Sequence, residues 1–263
     1  MPRVTVSDGS ELYYEVHGDG PRTIVFAHGA GGNHLSWWQQ VPRYRDEYRC
    51  ITFDHRGFGT STDATGQFLR SYRADLEALL DDAGVREAVL VGQSMGGFTC
   101  VAFAAAYPDR VRGLVMADTF LGIDDEGLIA EWREGLAARP APADPTRQTS
   151  MVAAGYVDNH PEGVFLYQQV RALNPPRDLS GVTFSVEDGA VPASELAKLT
   201  MPVLFLAGDE DAVIPAPLIE RASALVPGAR YVGVPGAGHS VYWENAAAFN
   251  ELLDGLLAEA FAN

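Results

Sequence analysis

Thr23–Ala27 (TIVFA), Cys50–Phe53 (CITF), Ala88–Val91 (AVLV), Val111–Ala117 (VRGLVMA) and Pro202–Ala207 (PVLFLA) are apolar along nearly their whole length instead of alternating apolar with polar. An alternating strand covers one face of a sheet, whereas a strand that is apolar throughout must be covered on both, as parallel strands between layers of helices are. Helical patterns fall between these runs. Tyr72, Leu76, Leu79, Leu80 and Ala83 share one helix face, and Gly84 follows as a stop signal. Met95–Tyr107 is rich in small and apolar residues and stops before Pro108, while Pro217–Val226 and Ala246–Ala260 supply two further helices. Arg230–Val234 adds a last strand, and Val4–Val6 with Glu11–His17 reads as a hairpin around the polar turn at 7–10. The alternation predicts an α/β chain built on a mostly parallel, doubly wound sheet of about eight strands, with any ligand site beyond the carboxyl ends of the strands.

Between Phe120 and Ala193 the alternation breaks. No clear strand is legible there, and Pro140, Pro142, Pro145, Pro161, Pro175, Pro176 and Pro192 interrupt the stretch. Helical patterns fall at Asp124–Ala138, Thr146–Gly155 and Pro161–Ala172. We read residues 120–193 as a helical lid inserted between two core segments, 1–119 and 194–263. An irregular surface insertion with no part in binding is the plainer alternative. A chain of 263 residues otherwise suits one α/β domain.

Charge narrows the partners. The net charge is −16 and Lys198 is the sole lysine, so nucleic acid and anionic membranes are disfavoured as partners. No segment approaches the roughly 20 apolar residues of a membrane span, and the beginning MPRVTVSDGS has neither the apolar run nor the cleavage site of a signal peptide, so a soluble, cytoplasmic protein is expected. Cys50 and Cys100 read as two buried free thiols in preference to a disulfide, and no cysteine cluster offers a zinc site. Neither a metal nor a cofactor is expected.

The chemistry is carried by Gly92-Gln93-Ser94-Met95-Gly96, placed where an apolar strand ends and a helix begins. A sharp strand-to-helix turn needs glycines where neighbouring backbone packs closely, and it leaves the serine projecting at the helix N-terminus, where backbone N–H groups favour a developing oxyanion. A serine hydroxyl needs a base. Of the six histidines, His239 has the best setting, in the glycine loop Pro235-Gly236-Ala237-Gly238-His239-Ser240 between the last strand and the last helix. His34 and His55 lie in loops where a hydrogen-bonding role suffices. A carboxylate must fix the base's tautomer, and Asp209, Glu210 and Asp211 compete for that role after Gly208.

These motifs resemble those of the α/β-hydrolase superfamily, over essentially the whole chain except the 120–193 stretch. The resemblance implies an α/β-hydrolase fold with a helical lid. It selects Asp211, three residues after Gly208 and ahead of Pro215, as the acid, with Asp118 at the end of the preceding strand as the alternative that some members use. The chain order Ser94, Asp211, His239 is the superfamily's order. The loop His28-Gly29-Ala30-Gly31-Gly32 resembles its oxyanion loop, which assigns the hole to the backbone N–H groups of Ala30 and Met95. The loop Asp54-His55-Arg56-Gly57-Phe58-Gly59 also matches and implies structure instead of chemistry. No Gly-Lys-Ser/Thr follows the glycine-rich loop, which argues against a nucleotide site.

A serine in the nucleophile position implies acyl transfer on a small-molecule ester or lactone, whereas dehalogenases and epoxide hydrolases of this fold carry aspartate there. Carbon–carbon hydrolases of ring-cleavage products often carry Asn before the nucleophile and Trp after the histidine, and Gln93 and Ser240 depart from both. Haloperoxidase or perhydrolase side activity occurs on the scaffold, and a small-molecule receptor with little turnover is the competing class. Trp37, Trp38, Phe120, Trp132 and Met95 are candidates for an apolar substrate pocket, although core packing accounts for each as well. Oligomeric state is not legible.

Overall fold

The computed structural model describes residues 2–138, 151–176 and 184–262. In chain order the elements are β1 (Arg3–Thr5), β2 (Glu11–His17), β3 (Thr23–Ala27), α1 (Gln40–Tyr44), β4 (Arg49–Phe53), α2 (Leu69–Asp82), β5 (Ala88–Gln93), α3 (Met95–Ala106) and β6 (Val111–Ala117). Then come β7 (Ile123–Asp124), α4 (Glu126–Ala137), α5 (Ala154–Asn159), α6 (Pro161–Ala172), β8 (Val191–Pro192), β9 (Val203–Gly208), α7 (Ala216–Ser223), β10 (Arg230–Val234), α8 (Val241–Glu244) and α9 (Ala246–Ala260).

Eight strands form one sheet in the order β1-β2-β4-β3-β5-β6-β9-β10. β2 pairs antiparallel with β1 and β4, and every other pairing in the sheet is parallel. Alternate residues of the apolar runs feed two separate cores. Val25, Ile51, Leu90, Leu114 and Phe205 face one side, where they meet Leu76 and Leu79 of α2, Phe98 and Val101 of α3 and Ile219 of α7. Ile24, Phe26, Val89, Val115 and Leu204 face the other, against Trp37, Tyr242 and Phe249, Leu253 and Leu256 of α9. Each such side chain contributes roughly 1.5–3 kcal/mol by leaving water, on whichever face it points to, and so no position in these strands is polar by rule.

The strand order brings the carboxyl ends of β3, β5, β6, β9 and β10 side by side. Between β6 and β9 lie α4, α5 and α6. Asp125 caps α4 by accepting from the Leu128 N–H. The helix expected over Asp124–Ala138 is thus two residues shorter at its start, and that over Pro161–Ala172 matches α6. Of the helix expected over Thr146–Gly155, residues 146–150 lie outside the described residues, and α5 begins at Ala154. The stretch also holds strands that the sequence did not suggest: β7 and β8 pair in parallel over Ile123–Val191 and Asp124–Pro192, too short to leave a periodic signal.

Candidate active site

β5 ends at Gln93, α3 starts at Met95, and Ser94 between them takes φ 50° and ψ −120°. A residue with a side chain is strained there, at a cost of order 1–3 kcal/mol, and persists only when its surroundings hold it. Here the Ser94 N–H donates to the Ala117 carbonyl at 2.9 Å, and the Ser94 carbonyl accepts from the Gly97 N–H at 2.9 Å. The two motif glycines have physical reasons: a Cβ on Gly92 would strike backbone of Gly96 and Gly97, and one on Gly96 would strike backbone of Ala27 and His28. Neither neighbour is a side chain able to turn aside.

His239 lies in the loop between β10 and α8, with its Nε2 2.9 Å from Ser94 Oγ and its Nδ1 2.8 Å from Asp211 Oδ2. The other carboxylate oxygen of Asp211 accepts from the N–H groups of Val213 at 2.7 Å and Ile214 at 2.9 Å. Asp209 and Glu210 are exposed, so of the three neighbouring acids only Asp211 is buried. All three linked side chains are buried.

Asp118 is also fully buried, but its carboxylate serves backbone: Oδ1 accepts from the Gly208 N–H at 3.2 Å and Oδ2 from the Val241 N–H at 3.1 Å. It thereby ties the ends of β6 and β9 to the start of α8. Burial, and then the nearby charge of Asp211, push its carboxyl well above the usual carboxylate range.

Ala30 and Met95 both line the cavity beside Ser94. The Gly29 carbonyl faces His28 Nδ1 at 2.8 Å and accepts from the Gly32 N–H at 2.9 Å. Carbonyl and N–H of a trans peptide point in opposite directions, so fixing the Gly29 carbonyl turns the Ala30 N–H away from those partners. The Met95 N–H is at the first position of α3, where no intrahelical acceptor exists.

Further side chains hold the backbone around the site. Gln93 donates from Nε2 to the His239 carbonyl at 2.7 Å, and a Cβ on Gly29 would collide with the Gln93 amide oxygen. His28 Nε2 accepts from the His55 N–H at 3.0 Å, while His55 Nε2 lies 2.8 Å from Thr99 Oγ1. Burial, followed by the neighbouring His28, holds His55 well below the ordinary histidine pKa. The loop that follows is likewise structural: Arg56 forks onto Asp75 with two contacts of 2.6 Å and reaches Asp8 at 2.7 Å.

The cavity over Ser94 and His239 measures about 130 Å³. Tyr72, Leu121, Trp132, Met151, Phe184 and Val213 are among its walls, so its lining is apolar except at the serine and histidine. Trp132 is one of these walls, with Nε1 donating to the Val213 carbonyl at 2.8 Å. The other aromatic candidates are not. Phe120 is buried behind Trp132, ring edge to face at 6.2 Å. Trp37 is 0% exposed on the opposite side of the sheet, packed on Phe26 and Tyr242, because the 3-10 turn at His34–Trp37 folds it into the second core. Trp38 is 46% exposed with its ring against Trp243. Tyr72, Met151 and Phe184 were missed, since a helix-face tyrosine and two isolated apolar residues look the same whether they wall a pocket or fill a core.

Among the described residues, no group of three or more His, Cys, Asp or Glu is gathered as a metal site would need. Cys50 and Cys100 are free and buried. Burial pushes the Cys50 thiol up to about 12.

A family model described as alpha/beta hydrolase fold matches residues 22–246. A non-heme haloperoxidase of Rhodococcus erythropolis is 31% identical over 269 aligned positions, covering 95% of this chain and 97% of that protein. A 3-oxoadipate enol-lactonase of Acinetobacter baylyi is 27% identical over 212 positions, covering 77% of this chain and 76% of the relative. Among solved structures, a thermophilic esterase from Thermogutta terrifontis superposes with a TM-score of 0.75 at 27% identity, covering 99% of each chain.

Proposed function

The chain belongs to the alpha/beta hydrolase family, and on that premise we propose that it is a serine hydrolase of carboxylic esters or lactones, with Ser94 as nucleophile, His239 as general base and Asp211 as the acid that orients the histidine. The observation that carries this reading is the unbroken line from Ser94 Oγ through the His239 imidazole to Asp211, at 2.9 and 2.8 Å. In the first half-reaction Ser94 Oγ attacks the substrate carbonyl carbon while its proton passes to His239 Nε2. His239 Nδ1–H stays bonded to Asp211, which stabilises the imidazolium. The carbonyl oxygen gains charge against the N–H groups of Ala30 and Met95, donors of a kind worth on the order of 10²–10³ in rate each. The C–O bond to the leaving alcohol breaks, the alkoxide takes the proton from Nε2, and an acyl-Ser94 ester remains. Water, deprotonated by the same nitrogen, then releases the carboxylic acid and restores Ser94.

The apolar walls favour an uncharged acyl group. A cavity of about 150 Å³ holds one benzene molecule, so the space of about 130 Å³ over Ser94 suits a short acyl chain or a compact lactone ring. On the same reading residues 120–193 form a lid between core segments 1–119 and 194–263, since Trp132, Met151 and Phe184 come from that stretch and wall the cavity. The esterase and enol-lactonase names among the relatives support this substrate class.

An organophosphonate probe tests the nucleophile directly. Wild-type protein should gain one adduct, located by peptide mass to Ser94, and His239→Ala should react far more slowly. An adduct elsewhere, or equal labelling of both proteins, contradicts the assignment.

A further inference from the structure

The hydrogen bonds made by Glu244 leave something unexplained by a three-residue reading of the site. This side chain is at the end of the short helix α8, and its carboxylate reaches back to backbone N–H groups from both sides of His239. Oε1 lies 3.1 Å from the N–H groups of Gly238 and Ser240, and Oε2 lies 3.0 Å from that of Gly238. Oε2 also accepts from the N–H of Ala153 at 2.7 Å. Capping α8 would require only the Ser240 N–H, the residue at its start. Gly238 precedes that start, and Ala153 belongs to the stretch inserted between β6 and β9.

We infer that Glu244 is a positioning residue that fixes the backbone of the His239 loop and couples it to the inserted segment above the cavity. With Gln93 holding the His239 carbonyl at 2.7 Å, the backbone around the imidazole is tethered through Gly238, His239 and Ser240 in succession. The inserted segment sits directly on this loop, because a Cβ on Gly238 would strike the backbone of Val152 and Ala153. Met151, two residues earlier, walls the cavity. One carboxylate therefore holds both the loop that carries the base and the segment that closes over the substrate. If residues 151–153 move away, the Ala153 bond breaks and the same carboxylate loses part of its anchor. Activity would then depend on whether the segment is seated.

The inference rests on the serine-hydrolase reading, and the test keeps the two separable. Wild type, Glu244→Ala, Glu244→Gln and Ser94→Ala are assayed together on p-nitrophenyl acetate, with folding checked by circular dichroism. A misplacement of about 1 Å at a catalytic group costs on the order of 10² in rate. Glu244→Ala should therefore lose about 10²-fold in kcat with KM changed less than about threefold, and Glu244→Gln, which keeps one acceptor oxygen, should recover part of that loss. Amide hydrogen exchange should speed up in residues 151–153 and 238–240 together. Wild-type kcat in a folded Glu244→Ala, while Ser94→Ala is dead, overturns the positioning role. Faster exchange at 238–240 alone overturns the coupling to the inserted segment. Persistent turnover in Ser94→Ala instead overturns the serine reading on which both depend.

Discussion

Asp211 and Asp118 are both buried at strand ends, yet their hydrogen bonds divide their roles. Asp211 spends one oxygen on His239 and the other on two N–H groups, whereas Asp118 spends both on backbone. Asp211→Asn should therefore lose on the order of 10⁴ in kcat, since the amide imposes the wrong histidine tautomer. Asp118→Asn should stay within about tenfold of wild type and lose about 1–3 kcal/mol of stability from a mismatched backbone contact. The reverse pattern of rates and melting would move the acid to Asp118. His55 makes a pH-dependent contribution of definite sign. Its pKa is depressed in the fold by burial and by His28. Below about pH 6.5 the unfolded chain takes up a proton that the folded chain does not, so this stability is present at higher pH and is lost as pH falls, by up to about 1.4 kcal/mol per pH unit. Wild type should thus lose thermal stability more steeply than His55→Gln between about pH 6.5 and 5, and parallel curves would contradict it. At this scale the sequence made Ser94 and His239 legible because glycines mark backbone that must pass closely by. Gln93, His28 and Glu244 were not legible, because they act through backbone atoms that only the folded chain brings to them.

Elements marked by a continuous apolar run, a helical face or flanking turn residues were readable, and short ones without such a mark were not. The apolar runs became strands because both faces of the sheet are covered, and α2, α6 and α9 followed their periodicity or their bounding prolines and glycines. By contrast, α1, α8, β7 and β8 span two to five residues, so the sequence holds no period to detect. Aromatic residues near the site were ambiguous for a different reason. Trp37 and Trp132 are both large and apolar, and only the direction in which the local turn sends them decides between core and cavity. The close packing of α3 on the sheet gives a prediction that belongs to elements. Gly96→Ala puts a Cβ against the backbone of Ala27, which cannot yield, and should cost about 1–3 kcal/mol or more. Gly135→Ala lies within α4 with no heavy atom near the added Cβ, and should gain roughly 0.5–1 kcal/mol from helix propensity. Denaturant titration checks the pair, and a loss at Gly135 or a gain at Gly96 would mean that helix packing has been misjudged.

For the whole molecule, neighbouring carboxyl ends of five strands meet the described part of the stretch between β6 and β9 over a small apolar cavity that Ser94 lines. No described helix is long and apolar enough to cross a membrane. The cavity of about 130 Å³ should make the enzyme prefer acetyl and butyryl esters to octanoyl esters, by at least about tenfold in kcat/KM, because every methylene beyond the space must stay in water or displace a wall. A rising rate with chain length would mean that the wall residues move apart on binding. On the proposed mechanism Ser94 carries a covalent acyl group through repeated cycles. The most direct test is steady-state hydrolysis of p-nitrophenyl butyrate by wild type and Ser94→Ala side by side. Many turnovers per wild-type molecule are expected, with a loss on the order of 10⁴–10⁶ in the variant. A single stoichiometric burst from wild type, or more than about a tenth of its rate in Ser94→Ala, would contradict this mechanism.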